Sequence, residues 1–169
     1  MFSRRRFLIV SGGAGLAALA VGVSSRFPML VDDASAAQVF EVTRSDAQWR
    51  ALLSAEQYQV LREQDTERPY SSPLNDEHRD GVFVCAGCDL PLFSSATKFD
   101  SHTGWPSFWQ PLDKAVAVQT DRSFGVSRDE VHCARCGGHL GHVFRDGPKP
   151  TGLRYCMNGV SMNFKPQAA

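Results

Sequence analysis

Two short motifs decide the fold: Cys85-Ala86-Gly87-Cys88 and, separated from it by 44 residues, Cys133-Ala134-Arg135-Cys136. Each motif has the spacing of a metal-binding knuckle, and two such pairs supply the four ligands of a tetrahedral zinc site. Disulfides are the alternative in an oxidising compartment, but the doubled spacing and the odd total of five cysteines favour metal. A site closed by four thiolates is structural, because catalytic zinc keeps an open position. We therefore expect one structural zinc ion bound by these four cysteines.

From Gly81 onward the sequence has the pattern of an antiparallel β-domain. Short apolar or alternating runs are separated by Gly, Pro and Asp, and they predict strands at residues 82–84, 90–93, 115–119, 126–127, 139–144 and 153–158. Two short amphipathic helices are predicted ahead of them. The first covers residues 44–53 with Trp49, Leu52 and Leu53 facing the core, and the second opens on a capping box at residues 54–57. The predicted fold class is mainly β, with a short helical N-terminal lead.

The first 36 residues predict an export signal. Ser3-Arg4-Arg5-Arg6-Phe7-Leu8 resembles a twin-arginine signal, an apolar stretch of 16 residues follows, and Ala34-Ser35-Ala36 suits a signal peptidase. An uncleaved membrane anchor is the alternative, although 16 residues fall short of the roughly 20 that span a bilayer. We predict a signal peptide at 1–36 and a single domain at 37–169, exported to the periplasm by the twin-arginine machinery.

The charge balance argues against nucleic acid as a partner. The whole chain has 18 basic and 18 acidic residues, and removal of the signal with its four arginines and two aspartates leaves 14 against 16. No basic surplus or Lys/Arg block then remains to bind phosphates. No dimer signature is visible in the sequence, so we expect a monomer.

Cys156 is the cysteine left over from the knuckles, in the stretch Arg154-Tyr155-Cys156-Met157-Asn158. Side chains alternate along a strand, so a cation, a thiol and an amide share one face, while Tyr155 and Met157 face the core. A nearby arginine favours the reactive thiolate, which makes Cys156 a candidate nucleophile. The alternative is a buried structural cysteine, and spacing alone leaves both open.

His139 and His142 are candidate proton donors, because histidine titrates near neutral pH. Gly141, which lies between them, would allow a bulge that directs both rings to the same side. Two polar loop histidines are the alternative.

Trp105 and Phe108 belong to an aromatic cluster, Gly104-Trp105-Pro106-Ser107-Phe108-Trp109. Such a cluster can line an apolar slot for a methyl or thioether group, and ordinary core packing is the alternative.

Together these stretches resemble the methionine-R-sulfoxide reductases, the B-type peptide methionine sulfoxide reductases. The resemblance extends from about residue 44 to residue 166 and rests on several spaced motifs in the same order. They are Cys85-x-x-Cys88, Ser101-His-Thr-Gly-Trp-Pro-Ser-Phe108, Cys133-x-x-Cys136, Gly138-His-Leu-Gly-His-Val-Phe144, Asp146-Gly-Pro-x-Pro-Thr-Gly152 and Arg154-Tyr-Cys-Met-Asn158.

The resemblance implies an oxidoreductase, peptide-methionine (R)-S-oxide reductase, which repairs oxidised proteins during oxidative stress. Its fold would be two antiparallel sheets, with the zinc site away from the active site. Cys156 would attack the sulfoxide sulfur and become a sulfenic acid. The resemblance also implies that the sulfoxide oxygen is bound or protonated by His139, His142 and Asn158. Trp105 would form the aromatic wall that receives the methyl group. Arg154 and Asp146 would tune or orient these site residues.

Thr103 departs from the family pattern, in which many members carry a resolving cysteine directly before Gly-Trp-Pro-Ser-Phe. The four knuckle cysteines and Cys156 account for all five cysteines, so no intramolecular disulfide is expected. A thioredoxin-like protein or a small thiol would then reduce the sulfenic acid.

Two other functions are compatible with single features of the sequence. A non-enzymatic zinc module would explain the knuckles and the aromatic cluster, and loss of turnover on Cys156→Ser would exclude it. A thiol peroxidase or redox sensor would explain Cys156, and peroxide consumption at rates rivalling sulfoxide reduction would favour it.

Overall fold

The computed structural model describes residues 39–121 and 128–168. Within these ranges the architecture is mainly β, with nine strands in two antiparallel sheets and two α-helices ahead of them, which confirms the predicted fold class. The predicted export signal at 1–36 and the predicted strand at 126–127 lie outside the described residues. A search of the described ranges finds no helix with the length and apolar character needed to cross a membrane.

The two helices are α1, Asp46–Leu52, and α2, Ala55–Glu63. Both begin with a capping box, in which a serine hydroxyl accepts a backbone N–H and a glutamine three positions later accepts the N–H of that serine. The box at Ser54 was predicted, whereas the one at Ser45 was missed. Capping satisfies N–H groups that have no partner inside a helix, so even these short helices have defined starts.

The prediction that Leu52 faces the core is wrong. Leu52 is 52% exposed, while Trp49 and Leu53 are buried as predicted. Leu53 caps α1 in an extended conformation, with φ −98° and ψ 149°. It therefore leaves the helical periodicity and enters the core, and the residue before it remains at the surface.

The nine strands of the described chain pair antiparallel with their neighbours. They are β1 (Gly81–Cys85), β2 (Pro91–Ser94), β3 (Lys98–Phe99), β4 (Ser107–Phe108), β5 (Val116–Asp121), β6 (Arg128–Cys133), β7 (His139–Phe144), β8 (Arg154–Met157) and β9 (Met162–Pro166). The smaller sheet has the order β2-β1-β9, and the larger has the order β3-β4-β8-β7-β6-β5. The pairs β8-β7 and β4-β8 place the predicted nucleophile in the interior of the larger sheet.

An aromatic cluster joins the two sheets. Phe108 of β4 stacks on Phe93 of β2, with 4.3 Å between ring centroids, and meets Phe83 of β1 edge-on at 4.9 Å. All three side chains are fully buried. Burying a phenylalanine side chain contributes about 1.5–3 kcal/mol, so this cluster holds β4 in its place beside β8.

Candidate active site

Cys156 lies in a row of side chains that crosses five strands of the larger sheet. Directly paired residues place their side chains on the same face of a sheet. Cys156 pairs with Ser107 on one side and His142 on the other, His142 pairs with Glu130, and Glu130 pairs with Gln119. One face of the sheet therefore presents a thiol, an imidazole and a carboxylate in sequence.

The strand alternation predicted around Cys156 is confirmed. Met157 is fully buried, and Tyr155 packs on Phe93 with 5.9 Å between ring centroids. Cys156 itself is half-buried and faces the other side. Its thiol is thus held by a rigid strand and still accessible from outside, as a nucleophile requires.

A β-bulge brings His139 and His142 together. Residues three apart on a regular strand point to opposite faces, but β7 carries one extra residue opposite the Val131–His132 step of β6. As a result the two rings meet edge-on with 5.4 Å between centroids. The predicted bulge at Gly141 is confirmed.

Gly141 is required where β7 passes β8. Its φ is +156°, and a Cβ built there would lie 2.2 Å from the carbonyl oxygen of Cys156. Only glycine permits so close an approach of two backbones. The same residue therefore bends the histidine strand and keeps it against the nucleophile strand.

Glu130 anchors His139 inside the sheet. Its Oε1 lies 2.7 Å from His139 Nδ1, and its Oε2 accepts a hydrogen bond from Gln119 Nε2 at 2.5 Å. Both members of the pair are more than nine-tenths buried. Burial pushes the pKa of the Glu130 carboxyl upward, but the hydrogen bonds from His139 and Gln119 outweigh it and leave the pKa below its usual range. The buried Nε2 of His139 makes no hydrogen bond to the described part of the chain.

His142 occupies a different electrostatic setting. Its Nε2 lies 3.2 Å from Asp121 Oδ2. Burial lowers the pKa of His142, although the hydrogen bond with Asp121 opposes the shift. His142 is therefore neutral at physiological pH unless a substrate supplies a compensating contact.

Arg154 is locked beside the row. Its guanidinium donates to both carboxylate oxygens of Asp146, at 2.9 and 2.8 Å, and lies 4.4 Å from the ring centroid of Phe144. The hydrogen bond from Arg154 holds the pKa of Asp146 below its usual range, and Asp146 raises the pKa of Arg154 in turn. As predicted, a fixed positive charge lies on the same strand face as the thiol.

Asn158 follows β8 and is buried. Its amide nitrogen donates to the carbonyl of Leu140 at 3.1 Å, and its amide oxygen accepts the N–H of Glu67 at 3.0 Å. The side chain thus ties the end of β8 both to the bulge of β7 and to the segment that follows α2.

The two aromatic residues predicted for a substrate slot have different environments. Trp105 is half-buried, and its indole N–H donates to the carbonyl of Glu67 at 3.1 Å. Its ring face is partly accessible. Phe108 is fully buried in the aromatic cluster between the sheets, so it supports the site from beneath.

Thr103 places a hydroxyl next to the thiol, with 3.7 Å between its Oγ1 and Cys156 Sγ. Ser101 connects Thr103 with Ser107 through contacts of 2.8 and 2.7 Å between hydroxyl oxygens. Three hydroxyls therefore surround one side of Cys156, at the position where many members of the resembled family carry a second thiol.

The four knuckle cysteines converge on one point, as predicted. Their sulfur atoms all lie within 4.8 Å of one another, with 3.7 Å between Cys85 and Cys136 and 3.5 Å between Cys88 and Cys133. Sulfurs bound to one tetrahedral zinc at 2.3 Å lie about 3.8 Å apart, so the cluster fits such an ion. Cys85 ends β1 and Cys133 ends β6, which means that this cluster joins the two sheets.

The sequence comparisons agree with the geometry. The SelR domain family model matches residues 53–166, a range that includes every site residue named above from Cys85 to Asn158. The chain belongs to the SelR domain family. The resemblance inferred from the sequence motifs is thereby confirmed at the level of the family.

Several relatives of this SelR domain chain are named "Peptide methionine sulfoxide reductase MsrB". The protein from Thiobacillus denitrificans is 56% identical over 125 residues, which cover 73% of this chain and 95% of the relative. The Pseudomonas entomophila protein is 53% identical over 75% of this chain and 98% of its own length. The Agrobacterium fabrum protein is 54% identical over 75% and 94% of the two chains.

Sequence reasoning missed several residues around this SelR domain site, chiefly Glu130, Asp121 and Glu67. The sequence contained one indication that Glu130 is buried and paired. It lies three residues before the knuckle at Cys133, in a segment that has to reach the buried metal site. A carboxylate buried there needs a partner for its charge. No local pattern pointed to Asp121 or Glu67, since their partners His142 and Asn158 are distant in the chain.

Proposed function

We propose that this protein reduces the R epimer of methionine sulfoxide in oxidised proteins, with Cys156 as nucleophile. As a member of the SelR domain family it is a methionine sulfoxide reductase, an oxidoreductase. The observation that carries the proposal is the row Ser107–Cys156–His142, with Arg154 and the bulged His139 beside it. The preference for the R epimer follows from the resemblance to methionine-R-sulfoxide reductases.

In the first step the Cys156 thiolate attacks the sulfoxide sulfur while the sulfoxide oxygen gains a proton. The protonated oxygen then moves to the Cys156 sulfur: the S–O bond of the substrate and the S–S bond formed by the attack break, and a new S–O bond forms on Cys156. Methionine leaves reduced by two electrons, and the cysteine, oxidised by two electrons, is a sulfenic acid. Arg154 contributes a positive charge, fixed by Asp146, on the strand face that carries the Cys156 thiol.

His139 and His142 bind and protonate the sulfoxide oxygen in this proposal. Glu130 holds His139 by Nδ1, which leaves its Nε2 for the substrate. The contact with Glu130 fixes the orientation of the ring, so that the proposed donor nitrogen has a defined position. Asn158 keeps β7 and β8 together through Leu140 and is assigned to the same oxygen-binding group.

Trp105 receives the methyl group of the substrate. Its indole is fixed by the hydrogen bond to Glu67, and its exposed ring face offers an apolar surface two residues after Thr103 in the chain. Phe108 does not contact the methyl group in this proposal. It holds β4 in place by stacking on Phe93 in the core.

An external thiol recycles the enzyme. The sulfenic acid reacts with one thiol to give a mixed disulfide and water, and a second thiol releases Cys156 as a free thiol with formation of the donor disulfide. The donor is a thioredoxin-like protein or a small thiol, because Thr103 replaces the cysteine that would otherwise resolve the intermediate.

Zinc is the metal we assign to the four-cysteine cluster, in a structural role. A donor set of four thiolates suits zinc, and it leaves no position for a substrate. The ion would stabilise the junction of the two sheets without taking part in sulfoxide reduction.

The export signal predicted at 1–36 leads us to assign the protein to the periplasm, exported as a folded domain by the twin-arginine machinery. Its substrates there would be exported proteins oxidised during oxidative stress. N-terminal sequencing of protein from the cell envelope, with a start at Ala37 expected, tests cleavage and location together.

The reaction is tested with racemic N-blocked methionine sulfoxide and dithiothreitol, followed by separation of the remaining epimers. We expect selective loss of the R epimer by the wild type and no loss with Cys156→Ser. The Cys88→Ser variant and metal analysis distinguish failure of folding from failure of chemistry. Retention of both epimers by folded, metal-replete protein would reject the proposal and favour a binding module.

A further inference from the structure

We propose that Glu67 is a positioning residue of the active site, which holds Trp105 and Asn158 in register through one junction. The inference rests on the proposed function, because it concerns two residues assigned to substrate binding there. Glu67 lies in the segment between α2 and the sheets, a stretch in which the sequence shows only a break in helical pattern.

The backbone of Glu67 makes the two contacts that reach the site. Its carbonyl accepts the indole N–H of Trp105 at 3.1 Å, and its N–H donates to the amide oxygen of Asn158 at 3.0 Å. Trp105 precedes β4 and Asn158 follows β8, so a single peptide segment bridges the two walls of the site.

The side chain of Glu67 fixes that segment in place. Its two carboxylate oxygens accept the N–H groups of Gly159 and Val160, at 2.6 and 2.9 Å. These two residues directly follow Asn158, so the carboxylate and the backbone of Glu67 hold the same turn from two sides. Hydrogen bonds to a charged acceptor are roughly twice as strong as neutral ones, which makes this the strongest attachment of the segment.

The Glu67 carboxylate is partly buried at this junction. Burial raises the pKa of Glu67, although the N–H groups of Val160 and Gly159 act in the opposite direction. A groove of about 740 Å³ borders the outer side of the junction, and its lining includes Glu67, Gly159 and Val160. Within residues 39–121 and 128–168 no side chain donates to the carboxylate oxygens, so the attachment of Glu67 depends on the two backbone N–H groups.

Tyr70 shows that the same segment also holds the loop before Trp105. Its N–H donates to the carbonyl of Gly104 at 2.7 Å, and its hydroxyl donates to the carbonyl of His102 at 2.9 Å. The loop that carries Thr103 and Trp105 is thus attached to the segment on both sides. A shift of Glu67 would therefore move the methyl-binding wall relative to Cys156.

The first test is the Glu67→Gln variant, which keeps the size of the side chain but replaces one acceptor oxygen by an amide. We expect KM for the blocked sulfoxide to rise about tenfold, with a smaller change in kcat, because the loss falls on binding. The matched control is Asp65→Asn, which removes a charge from the lining of the same groove and keeps the oxygen that accepts the N–H of Thr66.

A double-mutant cycle with Trp105→Phe shows whether Glu67 acts through the indole. Phenylalanine lacks the N–H that reaches the carbonyl of Glu67. In this background we expect Glu67→Gln to change KM by less than about twofold. An undiminished effect would mean that Glu67 does not act through Trp105.

Hydrogen exchange of the indole N–H groups, followed by NMR, gives a readout that does not depend on turnover. In the wild type we expect the Trp105 indole N–H to exchange slowly, and in Glu67→Gln to exchange faster, while Trp49 is unchanged. A wild-type Trp105 that exchanges like a free indole would overturn the proposal even if Glu67→Gln does not fold. Wild-type KM and unchanged exchange in folded Glu67→Gln would overturn it as well. Slow exchange without sulfoxide turnover would reject the proposed function alone.

Discussion

Glu130 and His139 form a buried pair, with 2.7 Å between the carboxylate Oε1 and the imidazole Nδ1. The pair lies on the face of the larger sheet that carries Cys156, and Gln119 holds the other carboxylate oxygen. In the proposed reaction Nε2 is the nitrogen of His139 assigned to the substrate, because the contact with Glu130 occupies Nδ1.

We predict that Glu130→Gln lowers kcat by at least about tenfold, since His139 loses the charged partner that orients its ring through Nδ1. It should also lower the free energy of unfolding by about 1–3 kcal/mol, because a buried charged hydrogen bond is lost. Steady-state kinetics and urea unfolding measure the two effects. Glu63→Gln, which removes an exposed carboxylate near Arg50, is the control and should change neither. Wild-type kcat in Glu130→Gln would contradict the assigned role of the pair.

His142 should make stability depend on pH just below neutrality. Burial lowers the pKa of His142 from its ordinary 6.5 in the folded protein. The unfolded chain therefore binds a proton at a higher pH than the folded one, and stability rises with pH through this window and is lost as pH falls below about 6.5. Urea unfolding between about pH 5.5 and 7.5 should show a smaller slope for His142→Gln than for the wild type. His102→Gln, with a side chain 85% exposed, should keep the wild-type slope.

Gly141→Ala should destabilise the protein and abolish most activity. The new Cβ would lie 2.2 Å from the carbonyl oxygen of Cys156, so β7 and β8 would have to separate. We expect a loss of more than about 3 kcal/mol, measured by urea unfolding. Gly152→Ala is the control, because its φ is +70° but nothing lies within 4 Å of the added Cβ. It should cost about 1 kcal/mol from backbone strain alone and retain activity.

Cys88→Ser should lose the bound metal and lower the melting temperature by more than about 10 °C, because a structural zinc site contributes directly to folding. Elemental analysis and thermal unfolding monitored by circular dichroism test this. Cys156→Ser is the matched control, since it removes a thiol outside the cluster. It should keep both metal and melting temperature. A Cys88→Ser protein with unchanged stability would show that the cluster is not structural.

Thr103→Cys should create an intramolecular disulfide during turnover. The Thr103 hydroxyl oxygen lies 3.7 Å from Cys156 Sγ. A sulfur atom at residue 103 would need only small side-chain rotations to reach bonding distance from Cys156 Sγ. Mass spectrometry of unreduced peptides after one turnover should find residues 103 and 156 linked. Thr103→Ser, which adds no thiol, should give none. Recovery of a free sulfenic acid in Thr103→Cys would mean that the loop cannot make this approach.

The sequence predicted the parts of the fold that have strong local signals. The knuckles, the capping box at Ser54 and the alternation around Cys156 were all found, because each depends on residues a few positions apart. The strands β3 and β4 have two residues each and are too short for a period to appear. β6 was missed because it opens with three charged residues, a run more typical of a solvent-exposed loop than of a strand in the middle of a sheet.

The site was predicted as a set of residue types but not as an arrangement. Motifs indicated Cys156, Arg154 and the two histidines, whereas their partners Glu130 and Asp121 come from other strands. A pairing register cannot be read from one strand alone, since a shift by one residue reverses every side chain. The aromatic cluster left two roles open for Phe108, the lining of an apolar slot and ordinary core packing, and the side chain is fully buried in the core.

Because the row across the larger sheet draws on five strands, the site can assemble only after all five have been synthesised. Its members come from β4, β5, β6, β7 and β8, and β8 is synthesised after the other four. A nascent polypeptide therefore carries isolated thiols and imidazoles but no assembled centre. Sulfoxide turnover can thus serve as a reporter that counts only chains whose sheet has closed, which makes it a more stringent measure of correct folding than solubility or secondary-structure content.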